Sequence, residues 1–127
     1  FGQNAGGAGW AGLAMTITLY HNPRCSKSRA ALALLEQQGV APKVVEYLKT
    51  PPSAAELTRI LMLLGLRPRD LLRPAEARQA GLDDPALDDK ALIAAMVANP
   101  IVIERPIAVG ADSARIGRPP ERVLELL

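Results

Sequence analysis

The sequence predicts an α/β fold in which helices flank a mixed central sheet. Two observations point there. A β-branched run, a helix-forming run and a second β-branched run succeed one another over residues 16–48, the pattern of two parallel strands joined by a right-handed crossover. Farther along, apolar β-branched segments at 101–103 and 107–109, with a third near 114–116, supply antiparallel strands. Apolar residues make up 49% of the 127-residue chain, enough for the core of one domain without disulfides or metals. Aromatic residues are only 3%, so aliphatic side chains must fill that core.

Each element has its own signal. Residues 16–20 (TITLY) read as the first strand, and His21-Asn22-Pro23 ends it because proline cannot continue a central ladder. From Ser26 to Gln38 the residues are good helix formers, with Ala30, Leu32, Ala33, Leu34 and Leu35 on and around an apolar face, and Gly39 is a stop. Residues 43–48 (KVVEYL) read as the second strand. Thr50-Pro51-Pro52-Ser53 is a turn, and Ser53 with Glu56 makes a capping box for a helix that runs to about Leu64 and stops at Gly65. Residues 68–73 suggest one short helical turn, and 74–88 read as polar and irregular. Asp88 or Asp89 caps a helix over 90–98, which Asn99-Pro100 ends. Strands at 101–103 and 107–109 flank Arg105-Pro106, and Arg118-Pro119-Pro120 opens a last helix over ERVLELL. The order is that of a thioredoxin-like fold with a helical insertion between the βαβ and β-hairpin parts.

Composition excludes several function classes. A formal charge of +2 is too small to mark a nucleic-acid binder. The basic residues are eleven arginines against four lysines, and arginine is the better planar ligand for oxyanions. One cysteine cannot form an intramolecular disulfide, and one cysteine with one histidine makes no metal site of the usual kind. No apolar run is long enough for a membrane span. Residues 1–14 carry no charge and lack the basic start of a signal peptide, so they read as a flexible leader or extension before a domain over 15–127, with Met15 as the native start and the cytoplasm as the location.

A lone cysteine is usually a small buried hydrophobe. Cys25, however, falls where the first strand ends and the first helix begins. The first turn of a helix presents unpaired N–H groups and partial positive charge, both of which favour a thiolate. Arg24, Lys27 and Arg29 add positive charge nearby, and His21 is close in sequence. Such settings bring a cysteine pKa from ~8.5 into roughly 3.5–7.5. The same helix start suits an anion, so nucleophile and anion site coincide. A phosphatase loop, Cys-x5-Arg, would need arginine at the position held by Ala31; a dithiol motif would need cysteine at the position held by Ser28. The chain is therefore a monothiol that depends on an external thiol to restore its oxidised sulfur.

The segment Tyr20-His21-Asn22-Pro23-Arg24-Cys25-Ser26-Lys27-Ser28-Arg29 resembles the active-site segment of the glutaredoxin-coupled arsenate reductases. Further matches follow in order: Tyr47-Leu48 with Pro51-Pro52, Leu71-Leu72-Arg73, Asn99-Pro100-Ile101 with Arg105-Pro106-Ile107, and Arg115-Ile116-Gly117-Arg118-Pro119. Arg24 and Ser26 beside the cysteine, and the end at Leu127, resemble a shorter chromosomal branch. The resemblance spans about residues 15–127 and implies a thioredoxin-like fold, arsenate as substrate, glutathione as co-substrate, glutaredoxin as partner and no bound cofactor or metal. It assigns oxyanion binding to Arg73, Arg105 and Arg118, thiolate support to His21 and Ser28, and the cis-proline position to Pro106. Spacing alone leaves Arg73 an exposed helix-end residue, Arg105 a turn flank, Arg118 a surface residue and His21 a structural histidine. Two other functions fit the pattern: a monothiol glutathione-dependent oxidoreductase with another acceptor, and an Spx-type transcription regulator. Many of those regulators carry the second cysteine that this chain lacks at Ser28.

Overall fold

The computed structural model describes residues 16–127; the expected leader over 1–14 and the start at Met15 lie outside them. Four strands form one sheet: β1 (Thr18–His21), β2 (Lys43–Glu46), β3 (Ile107–Val109) and β4 (Ala114–Ile116), in the order β2-β1-β3-β4. β1 pairs parallel with β2, and antiparallel with β3, which pairs antiparallel with β4. The parallel pair is the βαβ unit read from the sequence, and its crossover is α1 (Ser26–Gln37). The helices α2 (Ala54–Leu64), α3 (Pro74–Gln79) and α4 (Asp89–Ala98) form the insertion before the hairpin.

Both faces of the sheet are covered, and the alternation along β3 shows how. Ile107 and Val109 join a cluster with Leu57, Ile60 and Leu61 of α2 and Met96 of α4. Ala108, pointing the other way, joins Leu19, Ala31 and Leu35 of α1 and Val123 near the C-terminus. The small side chain of Ala108 lets α1 and the C-terminal segment lie close to the sheet. The α2 start is the capping box expected from Ser53 and Glu56: Glu56 N–H donates to Ser53 Oγ at 3.1 Å, and Ser53 N–H donates to Glu56 Oε1 at 2.9 Å. Its end is Gly65 at φ +69°, a left-handed cap that favours glycine.

Four stretches differ from the sequence reading. The second strand stops at Glu46 because Lys49 and Thr50 N–H both donate to the Glu46 carbonyl, closing a turn at Tyr47–Thr50. The stretch taken as irregular contains α3, with Pro74 in its first turn, Glu76 near its start and Arg78 near its end; these are helix-start and dipole signals, but the helix is too short for hydrophobic periodicity to register. The expected strand 101–103 is instead a 3-10 turn, Pro100–Val102, with Val102 N–H on Asn99 O and Ile103 N–H on Pro100 O. Only Ile103 keeps β character, as an isolated bridge to Leu72. The last helix is 3-10 over Pro120–Leu126, in which Val123 and Leu126, three apart, share a face.

Candidate active site

The site begins with the loop between β1 and α1. Cys25 N–H donates to the Asn22 carbonyl and Arg24 N–H to Asn22 Oδ1, both at 3.0 Å, so Asn22 holds a tight turn that delivers Cys25 to the N-cap of α1. The thiol makes no capping hydrogen bond. His21, Asn22 and Ser28 are the buried polar residues among those described, and all three belong to this loop and the first turn of α1. Ser28 Oγ accepts from Asn22 N–H at 3.0 Å and lies 2.6 Å from His21 Nδ1. With its lone pair taken by the amide, the hydroxyl can give its proton to Nδ1, which puts the ring proton on Nε2. Burial holds the His21 pKa below its usual value; Glu46 opposes this and Arg29 adds to it. His21 is therefore a neutral ring at neutral pH. Ser28 and His21 thus brace the loop, and Cys25 itself is buried.

One arginine reaches the cysteine from a distant segment, and two more are linked to that arginine. Arg118, after β4, donates from Nη2 to Cys25 Sγ at 3.8 Å and from Nε to the Arg105 carbonyl at 2.7 Å. Arg105 has Nε and Nη1 buried without a hydrogen-bond partner. Arg73 is the N-cap residue of α3. What ties Arg73 to the others is the Leu72–Ile103 bridge: Arg73 N–H donates to Val102 O, and Glu104 N–H to Leu71 O, each at 2.8 Å. Glu104 then joins the cluster, with Oε1 at 3.1 Å from Arg118 Nε and 3.8 Å from Arg73 Nε. A second carboxylate, Glu76, pairs with Arg73 Nη1 at 2.9 Å.

Pro106 follows a cis bond from Arg105 and is fully buried. The Arg118-Pro119 bond is also cis. Gly117 packs on Pro106 so tightly that a Cβ there would sit 2.7 Å from Pro106 Cγ and 3.1 Å from Val123 Cγ1. Gly117 N–H donates to the Pro106 carbonyl at 2.9 Å. That close approach fixes where the chain enters Arg118. Of the cations expected near the thiol, Arg24 and Lys27 are exposed, and Arg29 is turned to the Pro23 carbonyl at 3.0 Å.

The structure adds Glu104, Glu76 and Tyr47 to the surroundings of the site. Burial pushes the Tyr47 phenol up to about 12; Arg73 draws it down, Cys25 and Glu104 push it up, and Arg118 draws it down. Tyr47 is thus a neutral O–H group amid the same charges. Nothing in the spacing separates a carboxylate such as Glu104 from a solvated turn residue; Tyr47 carried a signal only as part of the matched Tyr-Leu pair.

Comparisons with known proteins show the family. A profile of the ArsC family matches residues 20–126. The chain belongs to the ArsC family. It is 52% identical over 114 residues to the uncharacterized protein YfgD of Escherichia coli strain K12, covering 87% of this chain and 96% of that one. It is 46% identical over 114 residues to an arsenate reductase of Neisseria meningitidis serogroup A, covering 87% of this chain and 97% of that one. The solved structure of an arsenate reductase from Vibrio cholerae superposes with a TM-score of 0.86 at 52% identity, over 90% of this chain and 99% of that one. The ArsC-family fold is thioredoxin-like, as the element order indicates. Among the described residues of this ArsC-family chain, no helix is long and apolar enough to cross a membrane.

Proposed function

We propose that this protein reduces arsenate to arsenite through a Cys25 thiolate, with glutathione and glutaredoxin as the source of electrons. One observation carries the reading: the single cysteine of an ArsC-family chain sits at a helix N-terminus with an arginine N–H 3.8 Å from its sulfur. The helix start and Arg118 favour negative charge on the sulfur and on an incoming oxyanion. Arg105, with two buried N–H donors unpaired, has hydrogen bonds to give to arsenate oxygens. Arg118, beside the sulfur, and Arg73, linked to it through Glu104, add positive charge.

The thiolate attacks arsenic, a sulfur–arsenic bond forms, and one arsenate oxygen leaves as water after protonation. Glutathione thiolate then attacks Cys25 Sγ. The sulfur–sulfur bond forms as the electron pair of the sulfur–arsenic bond passes to arsenic, which leaves as arsenite. A glutaredoxin thiol takes the glutathione from Cys25 and restores the thiolate, because no second cysteine is present in the chain to do so. Neutral His21, held by Ser28, keeps the loop in register without adding a competing charge. Arsenate-dependent oxidation of NADPH, coupled through glutathione reductase, glutathione and glutaredoxin, tests this. The expected result is turnover that needs Cys25; no arsenate-dependent rate above that of Cys25→Ser sinks the reading.

A second reading, a monothiol glutathione-dependent reductase with another acceptor, is favoured by one observation. Both Nε and Nη1 of Arg73 are already held by carboxylates, which leaves fewer donors for a tetrahedral oxyanion. Intact-mass detection of glutathione on Cys25, without any arsenate turnover, would support it.

A further inference from the structure

Glu104 is the acidic residue at the centre of a basic site. Three groups from three chain segments surround one of its oxygens: Arg105 N–H donates to it at 3.2 Å, and the guanidinium groups of Arg118 and Arg73 pair with it, Nε at 3.1 Å and 3.8 Å. Its own N–H is fixed to the Leu71 carbonyl at 2.8 Å, and its side chain is three-quarters covered. A carboxylate held this way does not swing out when a ligand arrives. It shares one guanidinium with the nucleophile: Arg118 forms an ion pair with Glu104, Nε to Oε1 at 3.1 Å, and donates from Nη2 to Cys25.

The charges that pair here are two guanidinium groups, Arg73 and Arg118, against two carboxylates, Glu104 and Glu76. That paired cluster is already balanced before a substrate enters. Coulomb energy scales with ligand charge, so a fixed carboxylate opposes a dianion twice as strongly as a monoanion at the same place. Glu76 meets only Arg73 Nη1, while Glu104 meets two arginines and lies one guanidinium away from the sulfur.

We infer that Glu104 is a specificity-determining residue that makes the site select singly charged oxyanions over doubly charged ones. This rests on the reading of the arginine cluster as an oxyanion site and names the charge class of its ligand. In that role Glu104 both anchors the two guanidinium groups and removes one unit of the attraction they would exert on a dianion. For arsenate, which near neutral pH is a mixture of the two ions, the singly charged dihydrogen form would be the ligand taken up.

The test uses two inert tetrahedral anions, sulfate (two charges) and perchlorate (one charge), at constant ionic strength. Each is scored by how well it protects Cys25 from alkylation by neutral iodoacetamide, in the wild type, Glu104→Gln and Glu104→Asp. Glu104→Gln should raise the protection constant of sulfate relative to that of perchlorate by about tenfold, and Glu104→Asp should leave the wild-type ratio in place. If Glu104 served only to support the arginines, Glu104→Gln would weaken both anions together; an unchanged ratio overturns the inference. Circular dichroism checks the fold, and Glu104→Asn gives the same charge removal should the glutamine variant not fold. Absence of protection by either anion in the wild type would remove the oxyanion site and the inference with it. Protection with the expected ratio but no arsenate turnover would leave the inference standing and overturn only the reading of arsenate as acceptor.

Discussion

At residue scale, Cys25 holds two positions at once, nucleophile and N-cap, and it is a poor cap. Its thiol makes no hydrogen bond to the first-turn amides, whereas serine is among the preferred N-cap residues. Cys25→Ser is therefore expected to abolish thiol-dependent reduction while the melting temperature holds or rises, by up to about 1 kcal/mol of stability. A melt and an activity assay on the same sample check both halves; loss of folding would contradict the capping argument. His21 gives a pH prediction. Its folded pKa lies below the ordinary value, chiefly through burial, so between that folded value and the unfolded value of about 6.5 the unfolded chain binds more protons. Stability is then fully present above about 6.5 and falls as pH drops through the folded value. Urea midpoints from pH 8 to 5 should show this acid-side loss in the wild type and a shallower one in His21→Asn. These residue-level features were legible in part. The helix-start cysteine and the missing partners at Ala31 and Ser28 are visible in the letters alone. The family resemblance marks His21 and Ser28 as thiolate-supporting positions, but their pairing is seen only in the structure, since a histidine and a serine seven apart make no periodic pattern across a loop.

At the scale of elements, the site depends on short irregular pieces rather than on the long helices. β1, α1, α2 and α4 were readable because strand composition, capping residues and apolar spacing agree along each. The pieces that deliver the arginines were not. IVI at 101–103 has strand composition, yet Pro100 opens a turn and its backbone bonds close locally, leaving only the Leu72–Ile103 bridge. That bridge is what sets Arg73 beside Glu104. The 3-10 ending follows from packing of Val123 against the sheet, information that lies in the partners and not in ERVLELL itself. The most sensitive contact in this part is Gly117 on Pro106. Gly117→Ala would drive a methyl to 2.7 Å from the proline ring, against a buried neighbour with no room to move. The expected outcome is a loss of about 1–3 kcal/mol in stability, with a rise in KM for the anionic substrate larger than the fall in kcat, because Arg118 is displaced while Cys25 stays at its helix start. Denaturant unfolding and initial rates measure the two; a KM equal to the wild type would show that the hairpin absorbs the methyl without moving Arg118.

At the scale of the whole molecule, the fold gathers a nucleophile from the end of the first strand and cations from three later segments into one charge cluster, at a cost to the empty protein. That cost is concentrated on Arg105, whose Nε and Nη1 are buried without partners. A buried donor left unsatisfied costs about 1–3 kcal/mol, and functional sites commonly carry such costs because the ligand removes them. Arg105→Met keeps the aliphatic stem and deletes the unpaired donors. It should therefore raise the stability of the ligand-free protein by about 1–3 kcal/mol while weakening oxyanion binding. The two effects are coupled through one observable. An anion that binds only the folded state stabilises it in proportion to the logarithm of one plus the ratio of its concentration to its Kd, so perchlorate should stabilise the wild type in a concentration-dependent way and stabilise Arg105→Met much less. A melting series with and without the anion separates the alternatives. If Arg105→Met is less stable than the wild type without anion, the guanidinium has structural partners and is not held in reserve. If the variant is more stable but responds to anion as the wild type does, then Arg118 and Arg73 carry the binding, and the unpaired donors of Arg105 serve no ligand.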